Sequence, residues 1–122
     1  MTMEQRIILS IGAGALAMIA FIAPPGSLVG RWQLKVPGAT ILHVYRADST
    51  CEIFVNGKTF TSGKYLVRQD TFATNSGCNK DYYGTYKLNF ITPDSVQFIA
   101  IADTCQPRRA GLHKYTTGRQ PK

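Results

Sequence analysis

Short segments in which apolar and polar residues alternate, each ended by turn residues, constrain the fold of this chain more than any other feature. The first runs from Leu28 to Val36, has an apolar residue or glycine at every second position, and ends at Pro37-Gly38. A period of two places successive side chains on opposite faces of a β-strand. The segment therefore predicts a strand with one buried face.

The same pattern recurs along the chain and predicts six further strands. Asn56-Gly57 is the clearest turn, because both residues tolerate the positive φ of a two-residue hairpin. Gly63 interrupts one strand, which indicates a bulge or a close backbone approach. The predicted strands cover residues 40–46, 50–55, 58–69, 71–75, 82–91 and 95–102, and residues 110–116 are a candidate closing strand.

No helical period is found after residue 26, and short strands joined by tight turns favour an antiparallel meander. Closing such a meander into a barrel removes its exposed edges. The predicted fold is all-β: a small antiparallel meander barrel of six to eight strands, preceded by an N-terminal apolar helix.

The helix is predicted because residues 7–23 are apolar or small, follow Arg6, and end at Pro24-Pro25-Gly26. A charged start before an apolar run is typical of a secretion signal, and about 17 residues is just long enough to span a bilayer. Pro24 disfavours cleavage after Ala23. An uncleaved signal anchor is therefore predicted, with a cleaved signal and a secreted or periplasmic domain as the alternative. Both place the domain outside the cytoplasm.

This interpretation divides the chain into a signal peptide or anchor (1–26), a barrel domain (27–112) and a basic C-terminal tail (113–122). The net charge is +7, from 14 basic and 7 acidic residues, and no acidic residue follows Asp103. Scattered basic residues indicate a solvated tail, so nucleic acid is not predicted as a partner. The membrane, contacted through the N-terminal helix, and an envelope protein are the predicted macromolecular partners.

The three cysteines predict one disulfide. Cys78 precedes the sixth strand and Cys105 follows the seventh, and adjacent antiparallel strands bring such positions together. Outside the cytoplasm a Cys78–Cys105 bond can persist. Cys51 alternates with Ile53 and Val55, so it is expected to be reduced and buried.

No catalytic or metal centre is predicted. There is no Cys-x-x-Cys pair, and the only histidines are His43 and His113, so neither a metal nor another cofactor is expected. A nucleophilic Cys51 would need a base and an oxyanion site, and only His43 offers a base. The dispersed carboxylates form no acid–base pair. The protein is therefore predicted not to be an enzyme.

The order of four motifs resembles the lipocalin-like (calycin) superfamily of small secreted domains. These motifs are Gly30-Arg31-Trp32, the segment 63–71, Gly84-Thr85-Tyr86, and Asp103-x-Cys105-x-x-Arg108, and together they cover about residues 28–112. The resemblance implies a barrel that closes with the tryptophan of its first strand and an arginine near its last. The domain is shorter than a full lipocalin.

A second resemblance, to the META domain of bacterial envelope proteins, covers part of the same stretch. It rests on Gly77-Cys78-Asn79, Gly84-x-Tyr86 and Ile101-Ala102-x-Thr104-Cys105. The basic residue and the methionine usual between that threonine and cysteine are missing here. Both resemblances imply a secreted or envelope β domain without catalytic residues.

Two sets of residues are expected to matter inside the barrel. Trp32 is predicted to stack under Arg108 or Arg109, and Asp103 to pair with one of these arginines or to accept backbone hydrogen bonds. An apolar cavity for a small ligand is predicted to be lined by Tyr65, Tyr86, Phe90 and Phe98, with Phe60. The alternative is that these rings fill the interior.

The predicted function is accordingly that of a non-catalytic, lipocalin-like envelope or secreted domain that binds a small apolar ligand. The alternative is a structural or protein-interaction domain, anchored to the membrane, with a filled core and no small ligand.

Overall fold

A computed structural model describes residues 27–120, which form a closed antiparallel barrel. Each strand pairs with the next along the chain, and the last pairs with the first. The elements are β1 (Gly30–Val36), β2 (Ala39–Tyr45), β3 (Thr50–Val55), β4 (Lys58–Arg68), β5 (Thr71–Thr74), β6 (Gly84–Thr92), β7 (Ser95–Ala102), α1 (Gln106–Leu112) and β8 (Thr116–Arg119). The predicted all-β antiparallel barrel is confirmed, whereas the predicted leader and N-terminal helix (1–26) lie outside the described residues.

The end of the chain differs from the prediction. Helix α1 was not expected; its seven residues are too few to show a helical period, although Pro107 in its first turn suits a helix start. The candidate strand at 110–116 is wrong, because the closing strand is β8. The segment predicted as a basic tail contains β8, which completes the barrel between β1 and β7. The barrel therefore extends beyond residue 112.

Local sequence accounts for the hairpin turns. Asn56 and Gly57 have φ values of 51° and 83°, as the predicted two-residue turn requires. The side-chain oxygen of Asn56 also accepts a hydrogen bond from the backbone N–H of Thr40, at 2.9 Å. This bond ties the β3–β4 turn to the start of β2.

Aromatic rings fill much of the barrel interior. The Phe72 ring lies 5.1 Å from Phe98 and 5.6 Å from Tyr45, centroid to centroid, both with edge contacts. Such pairs add roughly 0.5–1.5 kcal/mol each beyond the burial of their area. The buried core consists of Leu28, Trp32, Tyr45, Cys51, Tyr65, Phe72, Tyr86, Leu88, Val96, Phe98 and Leu112.

Two glycines allow close approaches that a side chain would block. A Cβ atom on Gly63 of β4 would lie 2.8 Å from the backbone of Ser76, and one on Gly84 of β6 would collide with the Asp103 carboxylate. The close approach predicted at Gly63 is therefore present. Ser76 lies in the loop before β6, and Asp103 directly follows β7.

Arg119 of β8 closes the barrel at the end where β1 begins. Its guanidinium carbon lies 4.3 Å from the centroid of the Trp32 ring. The same group donates hydrogen bonds to the carbonyl oxygens of Ser27 and Val29, at 2.9 and 3.0 Å, and to the Asp94 carboxylate at 2.9 Å. One side chain thus joins the first strand, the last strand and the β6–β7 turn.

The prediction that Arg108 or Arg109 stacks on Trp32 is wrong. Both arginines lie in α1, which follows β7 at the opposite end of the barrel. The arginine that stacks on the tryptophan of the first strand is Arg119 of the last strand.

Replacing Arg119 with alanine should lower the free energy of unfolding by about 2 kcal/mol, because the cation–π contact and several hydrogen bonds are lost together. Urea unfolding measures this change. Arg68→Ala, which removes an exposed arginine from β4, is the matched control and should cost less than about 0.5 kcal/mol. Equal free energies of unfolding for the two variants would contradict the role of Arg119 in closure.

Candidate functional site

A cavity of about 470 Å³ lies at the end of the barrel that α1 covers. The inner faces of β2, β3 and β4 form its wall, and α1 with the β5–β6 loop forms its roof. The wall residues are Ile41, His43, Ile53, Val55, Phe60 and Thr61; the roof residues are Ser76, Gly77, Cys78, Cys105, Pro107, Arg108, Gly111 and Leu112.

The wall combines aliphatic and polar side chains from three neighbouring strands. His43, Ile53 and Thr61 lie side by side across the three strands, since His43 pairs with Ile53 and Ile53 with Thr61. The aliphatic residues of the wall are smaller than the aromatic rings that fill the rest of the interior. The register shifts after Ile53, so that Phe60 is bulged and 70% exposed at the rim of the cavity.

Helix α1 is held on the barrel at both ends. At its start, Cys105 forms a disulfide with Cys78 of the β5–β6 loop, with the two Cα atoms 5.8 Å apart. At its end, Leu112 is buried in the core, and the backbone N–H of Ala100 donates to Nδ1 of His113 at 2.9 Å. The predicted disulfide is confirmed, and Cys51 is free and buried.

A buried ion pair between Arg108 and Asp103 also holds α1 in place. Arg108 donates from Nε and Nη2 to the two carboxylate oxygens of Asp103, each at 2.7 Å, and from Nη1 to the carbonyl oxygen of Ser76 at 2.7 Å. The Tyr86 hydroxyl and the backbone N–H of Cys105 also donate to Asp103. Every one of these groups therefore has a partner, as a buried charge requires.

The surroundings of Asp103 set its protonation state. Burial alone would raise the pKa of its carboxyl, but the hydrogen bonds from Arg108, Tyr86 and Cys105 outweigh burial and lower that pKa below its usual range. Burial and the bond to Asp103 raise the pKa of Tyr86. The carboxylate is thus charged and the phenol neutral at pH 7. The pairing expected for Asp103 is made with Arg108.

His43 is the buried polar side chain in the cavity wall. It is 3% exposed, and its Nδ1 lies 3.1 Å from the Tyr45 hydroxyl. Burial lowers the pKa of His43 to about 4. The imidazole is therefore neutral at pH 7, able to make hydrogen bonds but not to supply a charge.

The four rings predicted to line a cavity do not line this one. Tyr65, Tyr86 and Phe98 belong to the packed core, and Phe90 packs against it, 6.2 Å from the Trp32 ring. For these residues the alternative of a filled interior is the one that the structure shows. Of the aromatic residues named from the sequence, only Phe60 reaches the cavity.

The residues that form the cavity wall were missed, although the sequence carried a signal for them. Ile41, Ile53 and Val55 occupy inward positions of the strand alternation and are smaller than the aromatic residues at other inward positions. His43 stands among them as a polar residue on an inward, apolar face. No comparable sequence signal marked the roof, because the seven residues of α1 are too few to show a helical period.

None of the family models, curated proteins or solved structures compared with this chain matches it. Within residues 27–120, no group of three or more His, Cys, Asp or Glu side chains is placed to hold a metal ion. No helix in the same part of the chain is long and apolar enough to cross a membrane.

Removing the disulfide should destabilise the domain and loosen its roof. Cys78→Ala combined with Cys105→Ala should lower the free energy of unfolding by about 3–4 kcal/mol, because the bond closes a loop with a sequence separation of 27 residues. Cys51→Ala keeps the bond and should cost no more than about 1 kcal/mol. Urea unfolding measures both, and amide hydrogen exchange in α1 should accelerate only in the double variant. A double variant no less stable than Cys51→Ala would contradict this account.

The pKa of His43 predicts a loss of stability in mild acid. Between pH 6.5 and about pH 4 the unfolded chain binds a proton at His43 that the folded chain does not, so stability falls as the pH falls through this window. From pH 7 to pH 5 the free energy of unfolding should decrease by about 2 kcal/mol from this residue alone. Urea unfolding of His43→Gln should lack this decrease. The same pH dependence in the variant would show that His43 is not responsible.

Proposed function

We propose that this chain is a non-catalytic binding domain for a small apolar molecule, carried outside the cytoplasm, with its binding site in the cavity beneath α1. One observation carries the proposal: a space of about 470 Å³ lined mainly by apolar side chains, with a few polar groups among them. Ligand sites are typically concave, apolar and about 300–1,000 Å³ in volume.

The distribution of side chains supports a site at this end of the barrel and not in its aromatic core. The centroids of neighbouring core rings lie 5–7 Å apart, so the rings fill the space between them. The cavity wall, by contrast, contains the aliphatic residues Ile41, Ile53 and Val55, each only partly buried by the protein itself. A ligand that covers these side chains gains the free energy of removing their apolar surface from water.

The proposed location rests on the cysteines and the leader. The Cys78–Cys105 bond suits an oxidising compartment, because cytosolic thiols are kept reduced. The apolar segment 7–23 is proposed to carry the domain across a membrane, either as an uncleaved anchor or as a cleaved signal. The lipocalin-like resemblance belongs to the same proposal and is supported by the Trp32–Arg119 contact.

A protein-interaction domain is the second candidate, and exposed apolar side chains on the outside of the barrel favour it. Leu66 of β4 and Ile101 of β7 are 59% and 60% exposed. Leu66 pairs with Ala73, which in turn pairs with Thr85. A row of uncharged side chains therefore extends from Leu66 across the outer face of β5 and β6. Such a surface suits contact with another protein.

Binding of 1-aminoanthracene, a neutral apolar dye, tests the first candidate. Its fluorescence should rise on binding with a 1:1 stoichiometry. Ile53→Trp places an indole in the cavity and should weaken binding roughly tenfold or more, because overfilling a site costs about 1–3 kcal/mol. Phe54→Trp, at the next position of β3 on the outer face, is the matched control and should bind the dye like the unmodified protein.

Loss of binding in both tryptophan variants, or in neither, would contradict a site beneath α1. Native mass spectrometry of protein from its own host separates the two candidates: a co-purifying small molecule supports the binding domain, and a stoichiometric protein partner supports the interaction domain.

A further inference from the structure

One ring nitrogen of His43, a buried residue of the cavity lining, has no hydrogen-bond partner among the described residues. His43 lines the cavity and directs its Nδ1 towards Tyr45 in the core. Among residues 27–120, Nε2 on the other side of the ring has no hydrogen-bond partner. Buried polar atoms nearly always have one, so the partner of this nitrogen is expected from outside the described residues.

Tyr45 determines which nitrogen of the ring carries the proton. Its hydroxyl is buried, and within the described residues His43 Nδ1 is its only hydrogen-bond partner. A buried hydroxyl proton without an acceptor is costly, so the hydroxyl donates to Nδ1. Because the imidazole is neutral, its own proton is then on Nε2, and the side chain that carries this donor lines the cavity.

We infer that the cavity takes an uncharged apolar molecule that carries one hydrogen-bond acceptor, such as a ketone, ester or ether oxygen, and that this oxygen accepts a hydrogen bond from Nε2 of His43. The inference rests on the proposed function and adds the chemical class of the ligand and the residue that orients it.

The electrostatics of the lining exclude an ionised ligand. Arg108 is the charged side chain of the lining, and its Nε, Nη1 and Nη2 are already committed to Asp103 and to the Ser76 carbonyl. A carboxylate or an ammonium group entering the cavity would therefore lose its hydration without gaining an opposite charge.

The acceptor matters because binding displaces water. Water that enters the cavity can bond to Nε2, and a purely apolar ligand that replaces it leaves the nitrogen unpaired. A ligand with a well-placed oxygen restores the bond. His43 thus selects between molecules of equal size and equal apolar area.

A pair of ligands with the same ring system and nearly the same shape tests this selection. 2-Acetylnaphthalene carries a carbonyl group where 2-ethylnaphthalene carries a methylene. In competition with 1-aminoanthracene, the ketone should displace the dye at a roughly 3- to 10-fold lower concentration than the hydrocarbon, the ratio expected for one net hydrogen bond.

Two substitutions of His43 separate the two ring nitrogens. His43→Gln places an amide near the position of Nε2 and should keep the preference for the ketone. His43→Asn is shorter, places its amide near Nδ1, and should bring the ratio close to one. Tyr45→Phe provides an independent variant: without the hydroxyl, the proton of the imidazole is no longer held on Nε2, and the ratio should decrease. Thermal unfolding verifies that each variant is folded.

Equal displacement by the two naphthalenes in the unmodified protein would overturn this inference and leave the proposed function standing. A ketone preference that persists in both His43→Asn and Tyr45→Phe would overturn the role of His43. Failure of 1-aminoanthracene and of both naphthalenes to bind would overturn the proposed function, and the inference with it.

Discussion

The carboxylate of Asp103 holds together the end of the barrel on which the cavity depends. It accepts hydrogen bonds from Arg108 of α1 and from Tyr86 of β6, and Arg108 in turn reaches the carbonyl oxygen of Ser76 in the β5–β6 loop. Removing one partner of a buried ion pair commonly costs about 3–5 kcal/mol, because the remaining charge is left unpaired. Gly84 makes room for this carboxylate, since any side chain there would occupy its place. Polar contacts and a disulfide thus hold the roof of the cavity, together with the burial of Leu112 in the core.

The barrel interior has two parts with different properties. Aromatic rings fill one part, and Arg119 over Trp32 closes it. The other part, beneath α1, contains the cavity, and its wall includes the aliphatic residues Ile41, Ile53 and Val55. Tyr45 links the two parts, because its ring packs in the core while its hydroxyl contacts His43 in the cavity wall. A filled core can therefore position a polar group at the edge of an unfilled space.

The strand positions and the disulfide could be predicted because they follow from the local alternation of side chains and from the order of the strands along the chain. Alternation with a period of two located β1–β7 within a few residues, and the positions of Cys78 and Cys105 beside neighbouring strands indicated their bond. The cavity could not be located in the same way. Whether inward side chains meet or leave a space depends on their combined sizes across several strands, and on α1, which is too short to show a period. Of the aromatic residues that the sequence offered as a lining, Tyr65, Tyr86 and Phe98 instead fill the core.

The sequence by itself determined an all-β chain, the positions of its hairpins and a buried face for most strands, because side-chain alternation and positive φ at Asn56-Gly57 are properties of neighbouring residues. Only the tertiary structure decided which arginine covers Trp32, where the roof helix lies and which polar side chains line the cavity. These features come from contacts between distant residues, as when Arg119 bonds to Ser27 across a separation of 92 positions. No local pattern encodes such a contact, since it arises only when the closing of the barrel brings both ends of the chain to the same place.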